Sequence, residues 1–168
     1  GHHVIALKRS LFQLPPSHNA TSLWVRAMST QKELAIQSAH ILREAGHVVY
    51  FAGGAVRDQL LGQIPKDYDL ATSAQPDEVQ ALFPKSDTVG EHFGVIIVKS
   101  AGELIEVATF RTDGSYKDGR RPESIEFSSP EKDAQRRDFT INGLFQDPFT
   151  GEIIDHVGGR ADLESKIL

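Results

Sequence analysis

The chain has 168 residues, 39% of them hydrophobic and 24% charged, which is enough for one ordinary globular domain with a real core. Its apolar runs, such as "GVIIV" from Gly94 to Val98, fall far short of the ~20 residues that a membrane-spanning helix needs. The absence of cysteine excludes a disulfide framework, a zinc ribbon and a thiol nucleophile, in keeping with a cytoplasmic setting. Residues 1–27 hold Lys8, Arg9 and Arg26 and no acid, so the remaining body has 15 basic against 23 acidic residues, about −8. A body that acidic is by itself a poor binder of a phosphate backbone.

In chain order, residues 1–27 have no clear period, a Pro15-Pro16 break and a tag-like Gly-His-His start, and they are set aside from the fold. A basic leader of this kind is compatible with a transit peptide, but an upstream extension is the favoured reading, with Met28 as the natural beginning. Thr30 and Glu33 are spaced as a capping box, and Leu34, Ile41, Leu42 and Ala45 share one helical face before Gly46. His47 to Ala52 is expected to be a buried strand, Gly53-Gly54 a turn, and "AVRDQLLG" a short helix. "KDYDLAT" returns as a strand. Pro76 opens a helix to about Phe83, and "HFGVIIVKS" with "ELIEVATFR" forms a hairpin turned at Ala101-Gly102. "RTDGSYKDGRRPES" is expected to be a mobile loop, "SIEFS" a strand, and Pro130 the start of a helix carrying "EKDAQRRDFTINGLF". "GEIIDHVGG" is a last short strand, and "ADLESKIL" begins another helix.

Chemistry concentrates at three places. On an extended strand Asp67 and Asp69 point to the same side, with Cα atoms about 6 to 7 Å apart, while Tyr68 points into the sheet. Two acids so close repel unless a cation lies between them, and Mg²⁺ is the natural neutraliser, although a lone D-x-D is most often two solvated acids. The Gly53-Gly54 turn ahead of a helix offers close backbone approach and free N–H groups to a phosphate, and Arg57 adds a cationic fork. Glu106, on a strand expected beside the D-x-D strand, is a candidate third carboxylate, preferred over Glu103 at the hairpin end. In Arg136-Arg137-Asp138 the guanidinium groups can neutralise a triphosphate, while Asp138 can hold Arg57 or Arg137 or accept a ribose hydroxyl. Such a triplet alone is usually a surface ion pair. His40, His47, His92 and His156 share no ligand spacing and are read as structural.

Taken together, "GGAVRDQLLG", "KDYDLAT", "IEVATFR" followed by "DGRRP", and "KDAQRRDFTING" resemble the head domain of class II tRNA nucleotidyltransferases, the CCA-adding enzymes, and of the similar bacterial poly(A) polymerases. The resemblance runs from about Ala35 to Ile167. It implies an α+β fold of the DNA polymerase beta-like palm type, a mixed sheet of about five strands flanked by helices. It divides the chain into a leader at 1–27, a head at 28–160 and the start of a helical neck at 161–168.

The resemblance further implies that CMP and AMP from CTP and ATP are added to tRNA 3′ ends with release of pyrophosphate. Asp67 and Asp69 would bind the catalytic Mg²⁺, or Mn²⁺ in its place, with Glu106 as a third acidic member. Gly53, Gly54 and Arg57 would lie near the triphosphate, and Arg136, Arg137 and Asp138 near its sugar and phosphates. The tRNA would be gripped mostly by a neck and body beyond this segment, where the family carries an E-D-x-x-R base-reading pattern. No protein or membrane partner is implied. Poly(A) synthesis, A-only or CC-only addition, and a non-catalytic nucleotide-binding module remain alternatives.

Overall fold

The structure is a computed structural model that describes residues 20–87, 94–113 and 125–165, with side chains from residue 31 onward except that of Ile125. Two compact units divide the chain, Gly1–Thr30 and Gln31–Leu168, and the sheet and its polar groups belong to the second. Among the described residues no helix is long and apolar enough to cross a membrane.

Helix α1 spans Ala20–Glu44, starting ten residues before the expected cap at Thr30, because no proline or glycine interrupts Ala20 to Ser29. Its buried stripe is Leu34, Ala35, Ala39 and Leu42; Ile41, expected on that face, is exposed. Beyond Glu44, Gly46 N–H donates to Arg43 O and His47 N–H to Leu42 O, so the stop falls where Gly46 indicates.

Strand β1 (Val49–Ala52) leads into α2 (Gly54–Leu60), and β2 (Asp69–Thr72) leads into α3 (Pro76–Leu82), which Gln75 and Glu78 cap reciprocally. Then come β3 (Ser86–Asp87), β4 (Val95–Ser100) and β5 (Glu103–Thr109), the last two a hairpin turned at Ala101-Gly102 as expected. The polar stretch after Arg111 begins as a strand: β6 (Arg111–Asp113) pairs with β7 (Ile125–Phe127) in a small second sheet. Residues 114–124, the rest of the expected mobile loop, lie outside the described residues.

The long helix expected from Pro130 is only α4 (Pro130–Gln135). A 3-10 turn (Thr140–Asn142) and β8 (Leu144–Gln146) come next, then β9 (Ile153–Asp155) and α5 (Gly159–Glu164). The break comes before Phe139, whose φ of −118° and ψ of 139° are extended. Further on, at Gly143, a Cβ would sit 2.9 Å from Val157 Cγ2 and 3.1 Å from Ala134 O, so the chain there passes too close to its neighbours for a side chain.

The main sheet therefore has seven strands, more than the five or so expected, in the order β3-β4-β5-β2-β1-β8-β9. All its pairs are antiparallel except β2 with β5. Its two faces differ. Phe51, Leu70, Ile96, Val98, Ile105 and Val107 pack with Leu42, Val56 and Val79 of the helices in one large core. The opposite face carries Ala52 and Ala71 beside a smaller cluster of Phe110, Ala134 and Phe145. Short side chains there leave room above the sheet, and that room is where the polar groups gather.

Candidate active site

Because paired residues share a face, the register reads directly across the sheet. Leu70 pairs with Val107 on parallel strands, so one step back along both strands Asp69 lies beside Glu106. On its other side Asp69 pairs with Ala52, which in turn pairs with Phe145. One row of the sheet thus runs acid, acid, alanine, aromatic. Arg137 closes the row, its guanidinium 5.6 Å from the Phe145 ring centre.

A cavity of about 180 Å³ opens over this row, lined by Gly53, Asp69, Glu106, Arg136 and Arg137 with Ala52, Ala71 and Ala108 among the floor residues. Five of the expected site residues meet there. A larger cavity of about 350 Å³ lies between α1 and β4, but no acidic side chain lines it.

Asp67 precedes β2 and is exposed, Tyr68 is buried against Phe51, and Asp69 is half-buried, so the expected alternation holds even though the strand begins only at Asp69. Glu103 stands at the hairpin end, opposite Ser100, on the face of Ile105 rather than that of Glu106. Burial first, then the charges of Glu106 and Asp67, push the Asp69 carboxyl up to about 6, with Arg137 pulling the other way.

The turn works through Gly53 more than Gly54. Gly53 has φ +70°, which a side chain rarely tolerates, and a Cβ on it would lie 3.9 Å from Arg137 Nη1. Arg57 does not reach the cavity lining: it donates to Asn142 Oδ1 (3.2 Å) and, from Nε and Nη2, to Asp58 Oδ1 (3.4 and 3.3 Å). Asp138 is exposed, and the carboxylate that holds Arg137 is Asp133, so that part of the expectation for Asp138 is corrected.

Two residues escaped the sequence reading. Asp133 is 1% exposed and binds both cavity arginines. The i,i+3 and i,i+4 spacing from Asp133 to Arg136 and Arg137 was the available signal. Gln31 on α1 accepts from Tyr68 N–H (3.0 Å), between the two aspartates, and donates to Leu104 O (3.3 Å), two residues before Glu106. It splints the two acid-bearing segments from 37 and 73 residues away, and nothing local in the sequence marks it.

The acids fit a divalent cation in one specific sense. Asp69, raised by burial and then by the neighbouring carboxylates of Glu106 and Asp67, has charge that a cation would relieve. No three Asp, Glu or His side chains among the described residues form a ready-made cage. Mg²⁺ does not need one, since it usually takes one or two carboxylates and completes its shell with water and substrate phosphates.

A mixed sheet with helices on one face and carboxylates facing arginines on the other is the architecture of a nucleotidyltransferase head. The sequence profile described as the poly A polymerase head domain matches residues 49–168, and the chain belongs to that family. It is 50% identical over 133 residues to the CCA-adding enzyme of Bacillus pumilus (strain SAFR-032), covering 79% of this chain and 33% of that protein. The crystal structure of the Bacillus stearothermophilus CCA-adding enzyme in complex with CTP matches with a TM-score of 0.69 at 43% identity, over 79% of this chain and 31% of that one. A tRNA nucleotidyltransferase complexed with a primer tRNA and an incoming ATP analog matches with a TM-score of 0.55 at 29% identity, over 77% and 37%. The chain thus spans about a third of the length of the curated relatives it matches.

Proposed function

We propose that this chain is the catalytic head of an RNA 3′-end nucleotidyltransferase that adds CMP and AMP, from CTP and ATP, to tRNA 3′ ends in the cytoplasm and releases pyrophosphate. The observation that carries the reading is the cavity in which Asp69 and Glu106 face Arg136 and Arg137 beside the Gly53 turn. Relatives at about half identity are CCA-adding enzymes, which supports the choice of substrate class.

In this reading the primer's 3′-oxygen forms a bond to the α-phosphorus, the bond from that phosphorus to the bridging oxygen breaks, and pyrophosphate departs. Asp67 and Asp69, with Glu106, would hold a divalent cation, Mg²⁺ or Mn²⁺, which would lower the pKa of the attacking hydroxyl and offset charge on the transferred phosphoryl group. Arg136 and Arg137 hold the phosphates that leave and neutralise the charge that builds on them. Gly53 and Gly54 keep the turn free of side chains where the nucleotide enters, Arg57 adds positive charge behind it, and Asp138 lies on the open side, toward the sugar. The head is assigned to residues 28–160.

A body near −8 offers few contacts to RNA phosphates, so in this reading the tRNA is held mainly by parts of the longer relatives that this chain does not span. The test is a chimaera joining this chain to the rest of the Bacillus pumilus relative, assayed on tRNA ending before, within and after CCA. Stepwise addition of CMP and then AMP is expected. Failure to extend any of the three substrates in a folded chimaera would refute the proposal.

A further inference from the structure

We infer that Asp133 is the positioning residue of the phosphate cradle, holding Arg136 and Arg137 in register with the strand that carries Glu106; this rests on the nucleotide reading above. Its Oδ1 accepts from Arg137 Nε (3.2 Å) and Nη2 (3.0 Å). Its Oδ2 accepts the backbone N–H of Arg111 (2.9 Å) and lies 3.5 Å from Arg136 Nε. One nearly fully buried carboxylate therefore ties the end of α4 to the β5–β6 junction.

The Arg111 bond makes this more than a local ion pair. A backbone N–H moves only with its strand, and Arg111 comes after β5, five residues beyond Glu106. Fixing Asp133 to Arg111 thus fixes the arginines relative to the acids on the far side of the cavity. The bonds also decide which donors remain. Arg137 spends its Nε N–H and one Nη2 N–H on Asp133, so both N–H groups of Nη1, which lies beside the Gly53 turn, and the second of Nη2 are left for a ligand. One carboxylate shared between two guanidiniums leaves the pair a net positive charge, and that suits phosphate.

Asparagine cannot replace Asp133 in this role, since its amide nitrogen would meet either the Arg111 N–H or the Arg137 fork, donor against donor. Inorganic tripolyphosphate, without added metal, should be titrated calorimetrically into the 168-residue chain and into Asp133→Asn, Arg137→Gln and the double variant. Each single variant should bind at least about tenfold more weakly than the parent. The double variant should lose clearly less than the product of the two single losses, because Asp133 acts partly through Arg137 and only the share that runs through Arg136 remains to be lost. Parent-like binding by Asp133→Asn, or losses that multiply in the double variant, would overturn the inference. Should Asp133→Asn fail to fold, Arg137→Lys decides the matter: it keeps the charge but not the two bonds to Asp133, so it should lose about tenfold, and parent-like binding would overturn the inference equally. Absence of tripolyphosphate binding by the parent would instead bring down the nucleotide reading itself.

Discussion

The acid wall and the arginine wall of the cavity are built from the same kinds of charge, and the protein treats them in opposite ways. On the arginine wall Asp133 is almost wholly buried, yet both its oxygens accept hydrogen bonds from donors fixed in position. On the acid wall Asp69 is raised to about 6 by burial and by two neighbouring acids, with Arg137 pulling against them. A buried carboxylate with its donors in place is a structural joint. One left short of positive charge has a site's electrostatics, with the deficit standing for whatever binds there. Changes to the acid wall should therefore cost chemistry and leave the fold intact.

The largest effect should come from Asp69→Asn, which keeps the shape and removes the charge. In the chimaera with the Bacillus pumilus body, nucleotide addition should fall by at least about 10³-fold while the thermal transition is not lowered. Asp67→Asn should behave alike, and Glu106→Gln should lose activity without unfolding. Wild-type turnover in Asp69→Asn would remove the acid wall from the mechanism.

How much of this the sequence shows depends on how local each device is. The Gly53 turn and the β4–β5 hairpin are each encoded within a few consecutive residues and appear where expected, while of the D-x-D pair only Asp69 lies on the strand and lines the cavity. Glu106 needed one non-local guess, that β5 would lie beside β2, and their parallel pairing bears it out. The misreadings have the opposite character. "FTINGLF" is apolar enough to continue a helix, yet Phe139 is extended and the segment forms a 3-10 turn and then β8, with Gly143 where Val157 and Ala134 come too close for a side chain. Gln31 and Asn142 act on groups 37 to 85 residues away, contacts that no periodicity records. The strands of the main sheet that were not expected, β3 and β8, are two and three residues long, too short for alternation to show.

A second, smaller effect separates the cavity wall from its support. Arg57 is tied to Asp58 and Asn142 and does not line the cavity, so Arg57→Ala should weaken the chimaera's use of every nucleoside triphosphate by about tenfold or less. The ratio of CTP to ATP use should not change, because the role proposed for this side chain is toward phosphate and not toward the base. Steady-state kinetics with both nucleotides would check this, and an altered ratio without weaker use of either would show that Arg57 belongs to base recognition.

The smallest effect is on stability, and its sign is opposite to that of an ordinary salt-bridged acid. Asp69 has a folded-state pKa of about 6, above the ~3.9 of an unfolded aspartate, so between those values the folded chain binds more protons than the unfolded one. Its contribution is then fully present below about pH 4 and is lost as pH rises through about 6. Asp69 is half-buried rather than sealed off, so solvent screening reduces the loss to about 1 kcal/mol, or roughly 3 °C in Tm. Without metal, Asp69→Asn should therefore melt a few degrees above the parent at pH 7.5 and together with it near pH 4. Adding Mg²⁺ at pH 7.5 should raise the parent's Tm toward that of the variant and leave the variant nearly unchanged, since the cation supplies the positive charge that the acid wall lacks. Differential scanning calorimetry at the two pH values, with and without Mg²⁺, makes the measurement. Parallel melting curves for parent and variant across this range would mean that the acid wall carries no unrelieved charge, and the contrast with the Asp133 joint would fail.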